Sequence, residues 1–556
     1  MKRIRAWLDV ERPERRIMAL AALLSLPSVF LGLQADDFLL AVLVRRQPLG
    51  AFWFVPDAPT RSALLDSGDL GWTASPALMQ SFPRPLASLS HWLDFTLLSG
   101  APWLMHLETV ALWVAIVGVA TWILRRLVPD RFVASLAALL FAVDGNLSVT
   151  VGWIAGRNSL LAALFGLASF AFHLRARERS AWAVATWIAF ALSLASSELG
   201  LSTLAWMVAY AWLLDPRGRR AGLLAVAPGL LGGVAYVVLR AALGYGARGT
   251  GYYYDLGDPA ELATGVLTAV PTYVVSQLTV CYASLGVFSP SGVWAFAAAS
   301  VVLAAILIPW LAPVLRERPS ARFFGAAAVL SAVLLGESVP QDRIVFFVGL
   351  GTTGLLAWRF ATPDGRRWGH VLAGLLVGVH VYFAALVFVP MSLAPAGAGM
   401  GGGAHALEAA LPTEPQAEVV VLHAPNEVLL SWARATRGFE GRPAPDTVRA
   451  LYAGGGALEV VATDARSITL RVQQGWLATP IERAQSDRAD LHAGAQVTTR
   501  GMIAEVLDAT SDGRPREVRF TFERPLTELT WLRFDGAEVV PWSPSAPARF
   551  DALAPL

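Results

Sequence analysis

The sequence predicts an all-α polytopic membrane domain of about eleven transmembrane helices, followed by a small β-rich soluble domain. Three observations carry this. The chain is 55% hydrophobic and only 15% charged, with a mean hydropathy of +0.51, whereas soluble domains carry about 25% charged residues. Apolar runs of about 20 residues, enough to cross a bilayer as a helix, recur between short Arg-rich loops up to residue 392. Beyond that point the composition becomes that of an ordinary soluble protein.

Taken in order, the spans fall near 17–34, 103–124, 132–148, 158–174, 181–196, 199–214, 221–240, 292–315, 323–338, 344–360 and 369–392. Arg and Lys gather on the cytoplasmic side of spans. The N-terminus, with Lys2, Arg3, Arg5, Arg12, Arg15 and Arg16, is therefore expected inside. The later basic loops are Arg125–Arg131, Arg175–Arg179, Pro216–Arg220, Arg316–Arg322 and Asp364–Trp368. Counting 262–289 as a full span would put the last two outside. Counting it as a re-entrant or interfacial segment keeps all of them inside and sends the C-terminus outside. The outer loops are then 35–102, 144–157, the 196–199 turn, 241–261 and 337–343.

Three domains follow: 1–392 in the membrane, a Gly/Ala/Pro-rich linker over 393–417, and an extracytoplasmic β-rich domain over 418–556. Strand-like runs in the last are Glu418–Leu422, Leu458–Ala462, Ile468–Val472, Val518–Phe522 and Leu529–Phe534. A net charge of +2 supports no nucleic-acid partner. The single cysteine, Cys281, excludes an intrachain disulfide and a Cys-based zinc site. Lys2 is the only lysine while Arg and Ala abound, a composition that points to a GC-rich bacterial genome and a bacterial inner (plasma) membrane. The first apolar run lacks a small-residue cleavage site, so no cleaved signal is expected.

Asp36 and Asp37 follow the first span at once. Two carboxylates at a membrane boundary cost free energy unless they are solvated, paired or used. The predicted outer face also collects Arg84, His91, Asp94, His106, Asp144, Arg157, Glu198, Tyr252–Tyr254, Glu337, Asp342 and Arg343. Carboxylates suit general-base work or metal binding. Arginines suit a phosphate or diphosphate, which their forked N–H groups match. Each also has a structural reading: Asp36-Asp37 as a solvated helix end, Arg84 as a headgroup anchor, Glu198 as part of a capped turn, and the histidines as packing.

The stretch from about Asp36 to Asp215 resembles the N-terminal half of GT-C-fold glycosyltransferases. It is most similar to the transmembrane O-mannosyltransferases that carry tetratricopeptide repeats, and more distantly to the protein O-mannosyltransferases. The residues behind this are Ala35-Asp36-Asp37-Phe38, Arg84-Pro85-Leu86, and Pro102-Trp103-Leu104-Met105-His106-Leu107. They continue with Leu140-Phe141-Ala142-Val143, Trp153-Ile154-Ala155-Gly156-Arg157, Leu160 to Phe165, and Ser196-Ser197-Glu198. The chain departs from the family at Asp144-Gly145-Asn146-Leu147, where a His-Pro-x-His-like element is usual. It departs again at Ser197, where a lysine is usual, and in having no tetratricopeptide repeats.

The resemblance implies an integral-membrane glycosyltransferase that moves a sugar from a polyprenyl-phosphate carrier to an acceptor hydroxyl at the outer face, with inversion. Asp36 or Asp37 would be the catalytic base, with a slight preference for Asp37. Arg84, Arg157, Arg343, Glu198 and His106 would bind substrate. The acceptor would be a protein, lipid or glycan, reached from the surrounding membrane lipid. No cofactor is required with a monophosphate donor. A diphosphate donor would bring in a divalent metal, Mg or Mn, with Asp36 and Asp37 as its expected ligands. Two other readings are a non-catalytic GT-C-like scaffold, suggested by the departures, and a lipid or solute transporter, disfavoured because no halves repeat.

Overall fold

The computed structural model describes residues 2–255, 257–362, 366–397 and 400–553. Part of the Asp364–Trp368 loop, and Ala398 and Gly399 of the expected linker, lie outside the described residues. All eleven apolar runs fold as helix, but among the described residues six helices are long and apolar enough to cross a membrane. These are Pro102–Leu127, Arg131–Gly152, Ile154–Ala176, Arg219–Ala242, Gly292–Glu317 and the run that begins at Arg367. The apolar helices Ser180–Ser196, Pro319–Leu334 and Phe346–Ala361 are shorter. The first run breaks into Pro13–Ser25 and a 3-10 turn, Leu26–Phe30. Pro27 lacks the N–H that would continue an α-helix.

Burial sorts these helices. The apolar window of Arg131–Gly152 is 89% buried, so it is the centre of the bundle, whereas that of Arg219–Ala242 is 22% buried. Leu224, Leu231, Val234 and Val238 of the latter are exposed, and so are Val301, Val302, Ile306 and Ile308 of Gly292–Glu317. Exposed apolar stripes of this length suit contact with lipid tails. The core itself is aromatic: Trp113 meets Phe141, Phe346 and Phe388, and Trp206 meets Phe170, Phe323 and Phe347.

Most basic loops share one end of the bundle. Arg125 pairs with Glu14 at 2.7 Å, Arg126 with Glu178, and Arg177 with Asp215 at 2.7 Å. The opposite end carries the loops that hold Asp36, Arg84, Glu198 and Arg343. The ambiguous 262–289 stretch is a helix, Pro259–Thr279, followed by a 3-10 turn, Ala283–Phe288. Early in this helix, Gly265 lies against Gly336. Further along, the Tyr273 hydroxyl accepts from Gln341 N–H at 2.9 Å. Beyond its end, Asp342 accepts from Ala283 N–H at 2.8 Å. The whole segment thus stays against the 336–342 loop and does not carry the chain to the basic end. A Cβ on Gly265 would stand 2.0 Å from the Gly336 carbonyl oxygen. Gly265→Val is therefore expected to destabilise the fold by about 1–3 kcal/mol through overpacking, read as a lower unfolding temperature in detergent.

The two loops at the site end are joined by a small antiparallel sheet of Trp53–Val55, Met79–Ser81 and Gly246–Arg248, in that order. The five strands expected in the C-terminal region are all present. Three of them join a six-stranded antiparallel sheet, in the order Ala548–Phe550, Leu458–Thr463, Ser467–Val472, Pro515–Phe522, Met502–Ala509, Gln496–Thr499. The other two sit in a mixed sheet in which Glu418–Ala424 and Thr447–Ala453 run parallel. A parallel pair needs a crossover, and the helix Val428–Glu440 supplies it. Val419 to Leu422 is an unbroken apolar run because this strand is buried on both faces. The expected linker contains a helix, Gly401–Ala410, packed on Val428–Glu440. Arg437 ties the two, donating to Glu408 Oε1 at 2.9 Å and to the Leu411 carbonyl at 2.6 Å.

Candidate functional site

The helix Asp36–Arg46 begins directly after the first membrane segment. Successive helical residues point about 100° apart, so the two aspartates at its start face different surroundings. Asp37 is fully enclosed. Its Oδ2 accepts from Gln34 N–H at 2.8 Å and its Oδ1 from Ala155 N–H at 2.8 Å. It stitches the first loop to the Trp153–Arg157 turn. Asp37, the slightly preferred base in the sequence, thus has a backbone donor on each oxygen and a buried side chain, whereas Asp36 is more open. Burial pushes the Asp37 carboxyl up to about 8, against the pull of those two N–H groups.

Asp36 is half-buried. Its Oδ1 accepts from the indole Nε1 of Trp432 at 2.7 Å. Burial raises its pKa above the ordinary carboxylate value, while the indole N–H and the nearby Arg343 guanidinium lower it. Tyr253 lies close to Arg343 as well and raises its pKa. Tyr253 bridges Ser338, and its ring lies 5.7 Å from that of Phe82. The Arg84 guanidinium covers Phe82 at 4.6 Å and Phe52 at 5.1 Å. It pairs with Glu198 at 2.9 Å, and the Glu198 side chain is only 4% exposed. Arg240 approaches Glu198 at 3.8 Å and pairs with Glu337 at 3.0 Å. Asp36, Arg343, Tyr253, Arg84, Glu198 and Glu337 thus form one connected patch at one end of the bundle, drawn from residues up to 307 positions apart in the chain.

Two expected substrate contacts are turned inward. Arg157 is 1% exposed. Its Nη1 donates to the Asp94 carboxylate and to Ser90 Oγ at 3.2 Å, and its Nη2 donates to the Met105 carbonyl at 2.8 Å. With both Nη atoms engaged in the interior, Arg157 holds the loop together and does not present a fork to a phosphate. His106, also buried, has its Nε2 2.9 Å from the Gly32 carbonyl. His91 lies between Phe52 and Phe95.

Of the aspartate pair, Asp37 has both oxygens on backbone N–H groups. Among the described residues no group of three or more His, Cys, Asp or Glu could hold a metal. A different set of oxygens stands without partners among the described residues: Asp144 Oδ2, Asn146 Oδ1 and Gln277 Oε1, all buried. The oxygens of Gln277 and Asp144 lie 2.6 and 3.1 Å from where a Cβ on Gly349 would sit, so they converge on one point. Oxygen donors of this kind suit a hard cation.

The chain is similar to ArnT from Cupriavidus metallidurans, solved bound to undecaprenyl phosphate. The identity is 15%, the TM-score 0.41, and the match covers 79% of this chain and 89% of that one. It is also similar to the Archaeoglobus fulgidus oligosaccharyltransferase tethered with an acceptor peptide, at 12% identity and TM-score 0.39, over 80% of this chain and 64% of that one. The apo form of the same enzyme matches at 12% identity and TM-score 0.38, over 80% and 65%. No family model and no curated protein matches the chain. The site is accordingly read from its own residues.

Two participants, Arg240 and Trp432, lie outside the residues that the sequence singles out. Arg240 was the polar end of an apolar span, indistinguishable from a headgroup anchor. Trp432 lies in a helix that the strand-rich reading of the C-terminal region left out. The strongly amphipathic pattern of Val428–Glu440, with Leu429, Leu430, Trp432, Ala433 and Thr436 buried, was the signal available.

Proposed function

We propose that the protein is an integral-membrane glycosyltransferase that moves a sugar from a polyprenyl-phosphate carrier to an acceptor hydroxyl, with inversion. The observation that carries this is the half-buried Asp36 carboxylate set beside Arg343 at the end of the bundle where the first loop and the C-terminal domain meet. A base and a cation at that depth match the two charges that develop in the reaction.

Asp36 accepts the acceptor's hydroxyl proton as that oxygen attacks the anomeric carbon. The bond from that carbon to the phosphate oxygen breaks on the opposite face, and polyprenyl phosphate leaves. Arg343, whose charge is felt by the nearby Asp36 carboxylate, stabilises the charge on the leaving phosphate; a fixed cation in a water-poor site acts strongly there. Arg84, oriented by Glu198 and stacked on two phenylalanines, keeps a partly open face and is a second phosphate contact. The lipid tail runs along the apolar helices. The outer-face location, with a cytoplasmic N-terminus, rests on the charge of the basic loops. With a diphosphate donor, Mg or Mn would find oxygen ligands at Asp144 and Gln277, whose oxygens approach one point, and would neutralise phosphate charge.

One observation favours a second reading. Arg84, Arg157 and Arg240 are all engaged by carboxylates of the same chain, as a non-catalytic scaffold would allow. The test is chain-dependent transfer in isolated membranes from polyprenyl monophosphate sugars, mannose first. Transfer that persists when Asp36 and Asp37 are both replaced by Asn sinks the catalytic assignment. The pH dependence adds a sign. A base works only when ionised, and Asp36 titrates above the ordinary carboxylate value. Transfer should therefore fall as pH drops, with a midpoint above about 4, measured as kcat/KM against pH.

A further inference from the structure

We propose that Trp432 is a positioning residue for Asp36, so that the C-terminal domain completes the transfer site by docking on the first loop. The inference rests on Asp36 acting as the base and adds a requirement that the membrane domain alone does not meet.

The contact is direct and isolated in sequence. The indole Nε1 of Trp432 donates to Asp36 Oδ1 at 2.7 Å across 396 residues. Trp432 is 6% exposed, so its ring is held by packing and cannot swing freely. An indole N–H is a donor only, so it binds the carboxylate in one sense. It fixes the carboxylate's rotamer, occupies Oδ1 and leaves Oδ2 to take a proton.

The helix that carries Trp432 is docked by several independent contacts. Phe439 packs on Phe38 and Phe95 at 5.7 and 6.0 Å. The Arg45 guanidinium covers the Phe439 ring at 4.4 Å and donates to the Phe439 carbonyl at 3.0 Å. Arg434 pairs with Asp69 at 2.9 Å. On the same interface Trp72 donates to the Leu451 carbonyl at 3.0 Å, and a Cβ on Gly68, whose φ is +82°, would fall 2.2 Å from the Val448 carbonyl oxygen. The domain therefore sits on the first loop in one register, and that register places the indole on the carboxylate. Burial and an N–H donor oppose each other on such a group, burial favouring the neutral form and the donor favouring the ionised one. Removing the indole donor leaves the Arg343 guanidinium as the remaining group that opposes burial at Asp36.

The test uses the full-length protein in membranes. Trp432→Phe keeps a ring and loses the N–H, while Trp432→His keeps a ring N–H donor. Two readouts apply: turnover with polyprenyl-phosphate mannose, and the pH dependence of Asp36 labelling by a hydrophobic carbodiimide, which attacks the protonated carboxyl and is read by peptide mass spectrometry. Trp432→Phe is expected to lower kcat about tenfold or more with KM for the lipid donor nearly unchanged. It should also move the labelling midpoint up by roughly one pH unit, and Trp432→His should recover part of both. The labelling readout needs no turnover and stands even where mannose is the wrong sugar. A Trp432→Phe midpoint equal to wild type overturns the proposal. So does equal impairment of the Phe and His variants, which would assign the effect to packing. Full transfer by Asp36→Asn would instead overturn the proposed function, whatever Trp432 does.

Discussion

Asp36→Asn is expected to lower sugar transfer about 10²- to 10⁴-fold, the range a positioned general base supplies, while the protein stays folded. Asn keeps the shape of the side chain and one oxygen for the Trp432 indole, but it cannot take the acceptor's proton. Asp37→Asn should behave differently. Asp37 holds two backbone N–H groups, from Gln34 and Ala155, at 2.8 Å each. An amide offers one oxygen and turns an NH2 toward the other N–H. The cost is that of a buried donor left unsatisfied, about 1–3 kcal/mol, and it falls on stability first. Kinetics and thermal unfolding of the two variants, run side by side, separate the roles. Loss of activity in Asp37→Asn with unchanged stability, and an active Asp36→Asn, would reverse the assignment.

The second large effect concerns Arg157. Arg157→Met leaves Asp94 as an unpaired charge in the interior, and breaking a buried pair in this way costs about 3–5 kcal/mol. The variant should accumulate poorly in membranes and unfold at lower temperature in detergent. Removing both partners, Arg157→Met with Asp94→Leu, should recover much of the loss, because no buried charge is then left alone. A substrate arginine would give the opposite pattern: normal stability, a raised KM for the lipid donor, and no recovery in the double variant. This comparison tests the inward role of Arg157 directly. It also bears on the scaffold reading, since a site whose arginines all serve the fold has little left to hold a phosphate. Arg343 is the residue that keeps the two readings apart.

Much of the membrane architecture was legible in the sequence because its causes are local. Each apolar run became helix, since backbone groups in a bilayer must bond within their own segment. The helices came out shorter than the runs where local chemistry interrupts them. Pro27 tightens the first into a 3-10 turn. Asp144 accepts from Asn146 N–H at 3.0 Å and turns the chain at the end of Arg131–Ala142. The five strands of the C-terminal region were legible as short strand-like runs, some of them separated by turn residues. The helix Gly401–Ala410 was missed because a Gly- and Ala-rich segment reads as a linker until something packs against it, and Val428–Glu440 because the region after 418 was read for strands.

The sequence by itself determined a multi-pass helical domain, a β-rich C-terminal region, and a pair of aspartates at a membrane boundary near later arginines and a glutamate. Hydropathy, turn chemistry and charge placement are properties of neighbours in the chain, so they can be read without the fold. The tertiary structure alone decided which aspartate is available, that Arg157 faces inward, and that Trp432 reaches Asp36. Those outcomes depend on which donor arrives from 118 residues away at Ala155 or 396 away at Trp432. Such meetings are set by how helices and sheets pack, and no local pattern in the chain encodes the distance between them.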